Sequence, residues 1–451
     1  MNVPSTPESR DSPLLRLPNE LLIEILTLAV GRKDMALDDD QSKDHKTAWS
    51  LTLVCKRISG ISYPLLYRTI DFMSPTLESL IPMSRAGRLL SRSLCANPEL
   101  SAMCRELVVW IPSIESGYSR DSDYEAATTL LTQLTNIQNF QSFNGLQNSD
   151  SVWRMLDQIF PHMPRITDLT MSQDYIPIFM ERLFKPDNRF PALRRLHIVG
   201  CLAFSSSNIH DAVWLKDRIP PIMDLNIHDF RGSSQDFAAF LSWLEALENL
   251  TFHPDKDAWS LSLFQGFLEP HRSTLKSLYI GDQGNVDNRL DLTGYPKLEI
   301  LSLPALAHRE TLGDHALLLA APKLRSFTWH FGIEQDLNSL DSFQKSEADA
   351  LRTFVKTVLA CGCPLKLVYI WFLANAQFST PIAREGAEAT ELALSMRYPW
   401  DWMDELRDEF EEWGVLLSYD PPFDEPRSVT REQYEEEFRR WTSFSGHESD
   451  L

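Results

Sequence analysis

The chain has 451 residues, 43% hydrophobic and 24% charged, a globular composition too long for one compact domain and sufficient for a large core or a long array. Its net charge of -20 excludes a general binder of nucleic-acid backbones, which needs a basic surface, and favours basic partners. Six cysteines, at 55, 95, 104, 201, 361 and 363, have neither disulfide-framework density nor paired metal spacing. The opening MNVPSTPESRDSP lacks an apolar leader and no apolar run approaches the length of a bilayer, so the expectation is a reducing cytoplasmic or nuclear setting and no membrane partner.

Residues 1–13, rich in Ser, Pro and charge, are predicted to be disordered. From Leu15 to Leu26 the chain reads LRLPNELLIEIL, in which Pro18 suits a first helical position and Leu21, Leu22, Ile25, Leu26 and Ala29 recur at helical spacing. A second apolar segment, Trp49 to Cys55, and a third through Ile58, Ile61, Leu65 and Leu66 predict three short helices over residues 14–66. A unit so small is near the lower limit for its own core and tends to leave apolar surface for a partner. An amphipathic helical cap on a larger domain is the plainer reading of the same stripe.

Taken together, Leu17, Pro18, Glu20, Leu21, Leu22, Ile25 and Leu26, followed by Val54, Cys55 and Lys56, resemble the F-box. That resemblance implies docking on a Skp-type adaptor, and through it on a cullin ubiquitin ligase, by Leu17, Pro18, Leu21, Leu22, Ile25, Leu26, Val54 and Cys55. Between the two halves, Gly31 to Ala48 is longer and more acidic than the family's usual loop and reads as a solvated insertion.

Past Tyr67–Phe72 and Arg105–Ile111, two strand candidates with helical patterning around Leu77 to Leu94 between them, a repeat appears. Apolar triplets at offsets zero, three and five begin at Ile166, Leu193, Ile222, Leu247, Leu275, Leu298 and Leu324. Their starts are separated by 27, 29, 25, 28, 23 and 26 residues, within the leucine-rich repeat range. Cys104, Leu107 and Val109 keep the register earlier, Ile137 and Phe140 form a weak copy, and Leu365, Val368 and Ile370 resume it later. Pro164, Pro191, Pro220, Pro296 and Pro322 stand two positions before a triplet, where proline ends a helix and extends the chain. Between triplets the period turns helical, as at Val152, Leu156 and Ile159 or Phe237, Phe240, Leu241 and Leu244. The fold class predicted is α/β: a three-helix start, then an irregular solenoid of parallel strands on one face and helices on the other over residues 67–382. An α/β domain with evenly spaced strands would carry the same pattern. The copies resemble irregular leucine-rich repeats found behind F-boxes in fungal proteins, although the asparagine or cysteine expected three positions after the triplet occurs once, at Cys201, and Phe230 is among the departures.

Ser346 to Ala360 reads as a helical insertion lengthening the last repeat. Residues 383–451 form an acidic helical cap and tail, one helix carrying Met403, Leu406, Phe410 and Trp413 and a second carrying Tyr434, Phe438 and Trp441. From Pro399 to Leu451 there are sixteen Asp and Glu against five Arg. Charge runs are usually solvated faces; the sharper expectation is an acidic rim of Asp404, Asp408, Glu411 and Glu412, with Glu435 to Glu437, that steers a basic substrate segment. No phosphate loop, dinucleotide fingerprint, HExxH or GxSxG pattern occurs, and Cys361-Gly-Cys363 stands without a second thiol pair, so neither cofactor, metal nor catalysis is expected. The whole predicts a non-enzymatic adaptor: its F-box binds the ligase and its repeats choose a protein substrate. The alternative is a repeat scaffold acting outside any ligase.

Overall fold

A computed structural model describes residues 13–30, 42–72, 84–111, 121–143, 150–185, 190–203, 216–230, 233–253, 261–281, 289–305, 311–331, 343–372 and 397–420. Residues 1–12, Asp34 and Asp38 to Asp40 of the acidic insertion and the second acidic helix expected around Tyr434 lie outside the described residues. The chain divides into two compact units, Met1–Asp174 with Pro186–Leu193, and Tyr175–Lys185 with Arg194–Leu451. This division falls inside the repeat array, so the three N-terminal helices share a unit with the first strands.

The first unit opens with a 3-10 turn, Pro13–Arg16, and three helices, α1 (Asn19–Val30), α2 (Ser42–Thr52) and α3 (Lys56–Leu66). Then come β1 (Thr69–Phe72), α4 (Arg85–Ala96), α5 (Pro98–Met103), β2 (Glu106–Trp110), α6 (Asp121–Leu131), β3 (Asn139–Phe143), α7 (Asp150–Ile159) and β4 (Asp168–Phe179), whose last residues belong to the second unit. The expected insertion is thus partly helix, since α2 begins at Ser42, seven residues ahead of the apolar segment at Trp49. The strands of the first unit pair in parallel and in chain order, with Ile70, Leu107, Phe140 and Leu169 in one cross-strand row.

The second unit contains α8 (Met180–Leu183), β5 (Arg195–Ala203), β6 (Asp224–Phe230), α9 (Ser234–Ser242), β7 (Asn249–Phe252), α10 (Leu261–Leu268), β8 (Ser277–Ile280), β9 (Ile300–Pro304), α11 (Thr311–Leu319), β10 (Ser326–Phe331), α12 (Lys345–Ala360), β11 (Leu367–Phe372), α13 (Pro399–Glu412) and β12 (Leu416–Tyr419). From β5 to β12 every neighbour pairs in parallel, each strand with the next in sequence. Parallel pairing requires a crossover between strands, which α9, α10, α11, α12 and α13 supply in five of these connections. Leu225, Leu250, Leu278, Leu301, Phe327 and Val368 occupy one row of this ladder, all buried. These are the middle residues of the predicted triplets, and each sequesters apolar area worth about 1.5–3 kcal/mol.

Backbone bonding explains why the register recurs. The carbonyl of Arg105 accepts from Gln138 and Asn139, that of Glu248 from Lys276 and Ser277, and that of Arg325 from Lys366 and Leu367, at 2.7–3.1 Å. One oxygen at the start of a strand thereby anchors two amides of the next strand and sets its phase. Phe230, where the repeat pattern asks for asparagine, is buried against Phe237 with ring centroids 5.0 Å apart, so an aromatic core replaces the side-chain ladder there.

Two local features differ from the sequence expectation. The described connection between β8 and β9 has no helix: Leu290, Leu292 and Tyr295 fill that volume from an extended segment, and the Leu292 amide bonds the Leu318 carbonyl at the end of α11. This is the interval of 23 residues, the shortest of the series. In addition, Leu416–Tyr419, assigned above to the helical cap, is a strand paired in parallel with β11. Gly414, with φ of +72°, turns the chain out of α13 into this strand, so α13 acts as a repeat helix rather than a terminal one.

Candidate functional site

Apolar side chains are treated differently at the start of the chain. Among the described residues, fourteen large hydrophobics are exposed, and nine of them lie between Leu14 and Tyr63. On α1, Leu22 and Leu26 are buried, whereas Leu21, Ile25 and Leu28 form a stripe at i, i+4 and i+7 with Leu28 78% exposed. Trp49 on α2 and the two residues that follow the helix, Leu53 at 68% and Val54 at 60%, add a second group.

Local bonding holds these residues outward. The Leu53 amide bonds the Ser50 carbonyl and the Val54 amide that of Leu51, a tight turn that closes α2 and lifts both side chains from the core. Cys55 then caps α3, its Sγ accepting from the Ile58 amide at 3.5 Å. Ahead of α1, the Pro18 carbonyl accepts from the Leu22 amide at 3.1 Å, which places Pro18 one residue before the helix. Arg57, at the start of α3, donates to the Leu17 carbonyl at 2.6 Å, to Asn19 Oδ1 at 2.8 Å and to the Leu15 carbonyl. One guanidinium therefore clamps the Leu17-Pro18 segment across a separation of forty residues.

Of the eight residues assigned from the resemblance, Pro18, Leu21, Ile25 and Val54 are exposed and Leu17 and Cys55 half-buried. Leu22 and Leu26 are buried within the chain, because a helix packed on two others turns one of its two aliphatic stripes inward. Cys55 serves the backbone of α3. Sequence reasoning missed Leu28, Leu53 and Arg57. Leu28 extends a stripe already visible, but the Arg57 contacts depend on the fold and had no local signal.

The expected acidic rim is on α13. Asp404 is bonded to Arg407 at 2.8 Å and to the Tyr419 hydroxyl, while Asp408, Glu411 and Glu412 are exposed; Glu435 to Glu437 lie outside the described residues. Trp400 is buried against Phe372 and Tyr398, and Trp413 lies beside Phe410, both in packing roles; Trp441 is outside the described residues. Cys361 is exposed and Cys363 buried, on either side of Gly362 at φ +80°. Among the described residues no group of three or more His, Cys, Asp or Glu side chains is placed to hold a metal ion, and no helix is long and apolar enough to cross a membrane.

No protein-family model matches the chain. No curated protein matches it either. Among solved structures, the crystal structure of the Rad7 and Elc1 complex in yeast aligns with 75% of this chain and 88% of the other at 14% identity and a TM-score of 0.35. The class that the coordinates themselves define is an α/β repeat protein with large parallel sheet and helices.

Proposed function

We propose that the chain is a non-catalytic recognition adaptor: its N-terminal helices dock on a Skp-type adaptor, and through it on a cullin ubiquitin ligase, while the repeats bind a protein substrate. The observation that carries this reading is the concentration of exposed apolar side chains between Leu14 and Tyr63, on a segment whose residues resemble the F-box. Exposed aliphatic and aromatic groups at this density are costly to leave in water and are a common mark of a partner surface.

The test is capture of a purified Skp-type adaptor by the full chain carrying Leu53→Ser with Val54→Ser. Both side chains are more than half exposed, so melting should stay within about 1 °C of wild type while capture falls at least about tenfold, as expected for the loss of two interface anchors. Unchanged capture overturns the docking face. Co-purification of the cullin with the wild-type chain then separates a ligase component from a scaffold acting outside one.

A further inference from the structure

Helix α4 is arranged against its own electrostatics. Ser84 caps it, the hydroxyl accepting from the Gly87 amide at 3.1 Å, and the face that carries Gly87 and Leu94 is buried. The opposite face carries Arg85, Arg88 and Arg92 at i, i+3 and i+7, all exposed, with Leu89 beside them at 45% exposure. Like charges at these spacings repel one another, and cations early in a helix oppose its macrodipole. The first turn has no acidic residue to offset them, and the last turn, where cations are favourable, has no basic one.

The surrounding fold does not compensate. Among the described residues none of the three arginines forms an ion pair, in a chain with 63 Asp and Glu against 43 Lys and Arg, whereas Arg68, Lys276, Arg352 and Arg397 each have a carboxylate within 3.3 Å. Glu99, which follows on α5, is exposed and is not bonded to them. A face needed only for solubility is served as well by mixed charges. A one-sign row that weakens its own helix is instead the local conflict expected where a partner supplies the missing counter-charge.

We propose that the arginine face of α4 is a docking surface for an acidic peptide segment of a partner protein, with carboxylates on both sides of an aliphatic residue. Each guanidinium can take a carboxylate through two parallel hydrogen bonds, and Leu89 offers the aliphatic residue apolar area to cover. Net charge selects the class of partner. A chain of -20 is repelled by an extended anionic surface such as a membrane or a nucleic acid, while a short segment meets the local row within a screening length of about 8 Å. This contact is additional to adaptor docking and does not depend on it.

The experiment titrates the full chain with an acetylated and amidated probe, Gly-Glu-Glu-Leu-Glu-Glu-Gly, and with versions in which all four glutamates are glutamine or all are lysine. The glutamate probe is expected to bind and the other two to bind at least about tenfold more weakly, with binding falling at least about tenfold between about 50 and about 300 mM salt. Arg88→Glu with Arg92→Glu should weaken the glutamate probe at least about tenfold while melting stays level or rises, because the reversal removes repulsion along the row. Arg88→Gln with Arg92→Gln is the substitute if the reversed protein fails to fold. Absence of binding by the glutamate probe, equal binding of the glutamine probe, or unchanged affinity in a folded variant overturns the proposal. A lower melt in both variants overturns it as well, since the row would then support the fold. Self-association, or sedimentation with phosphatidylserine vesicles, that the same reversal abolishes would put the acidic face of α13 from a second copy, or a membrane, on the row and likewise overturn it. Adaptor capture, read on the same proteins, separates the two readings: intact capture with no probe binding removes only this contact, and lost capture with intact probe binding removes only the docking face.

Discussion

The three N-terminal helices and the repeat strands are built from the same aliphatic residues and dispose of them in opposite ways. Leu225, Leu250, Leu278 and Leu301 follow one another in register and are sealed between sheet and helices, while Leu21, Ile25, Leu28, Leu53 and Val54 remain in water. The difference is one of neighbours. Each of the strands carrying these leucines has another strand on each side and helices or buried loop residues across its inner face, so each leucine is covered several times over. A short three-helix unit has a small interior, and Leu22, Leu26, Ala48, Ile58 and Ser62 are enough to fill it. Apolar residues beyond those have no internal place to go, which makes them available to a partner.

The comparison breaks most visibly under truncation. Leu301→Ala should destabilise the second unit by about 2–5 kcal/mol, through lost burial and the cavity left in a packed row, whereas Leu28→Ala should change stability by less than about 0.5 kcal/mol. Urea melts of the two variants check this. Comparable losses would mean that Leu28 is core and that the contrast between the regions is false.

Acid should sharpen the comparison next. Burial, with repulsion from neighbouring imidazoles, pushes His253 down to about 3 and His197 to about 4, and burial alone outweighs a carbonyl hydrogen bond to push His330 to about 4. An unfolded imidazole titrates near 6.5, so below that pH the unfolded chain binds more protons than the folded one. The histidine contribution to stability is therefore complete above about pH 6.5 and is lost progressively as pH falls toward 3. Glu409, held below its usual range by hydrogen bonding to Arg352, contributes a separate loss confined to lower pH, beneath about 4.5. Chemical melts between pH 7.5 and 5 should show falling stability that His253→Gln makes shallower, with adaptor capture at pH 6 nearly unchanged. A flat profile in that window would show that the imidazoles are not held neutral.

The smallest effect concerns the clamp. Arg57→Ala removes the donors to the Leu15 and Leu17 carbonyls and to Asn19 while leaving the exposed apolar side chains in place. Adaptor capture should weaken about three- to tenfold through the lost positioning of Leu17-Pro18, with little change in melting. Lysine at this position, which lacks the planar fork, should not restore capture.

Much of this was legible in the sequence. The triplets at Leu193, Ile222, Leu247, Leu275, Leu298 and Leu324 lead into strands at the expected phase, because one buried row per repeat imposes its period on the chain. The strand at Leu416–Tyr419 was not legible, since LLSY is short and follows a strong helical stripe, and the turn that frees it depends on Gly414 at positive φ. Nor was the described segment before β9, where Leu290, Leu292 and Tyr295 fill the core without helical spacing of their own. At the candidate site, apolar identity was visible but orientation was not. Leu21 and Leu22 are adjacent in sequence and opposite in role, and only the packing of α1 on its neighbours decides which one is covered. The stacked rings of His197, His228, His253, Tyr279, His330 and Trp371 were hidden for a related reason: successive members lie 25 to 51 residues apart, and strand register alone brings them together.

The most direct measurement is amide hydrogen exchange of the full chain with and without saturating Skp-type adaptor. The account predicts new protection confined to peptides within residues 14–63, above all across the turn at Leu53-Val54 and the clamped Leu17-Pro18 segment, with the strands of the second unit unchanged. Protection that appears in the repeats and spares residues 14–63 would contradict it.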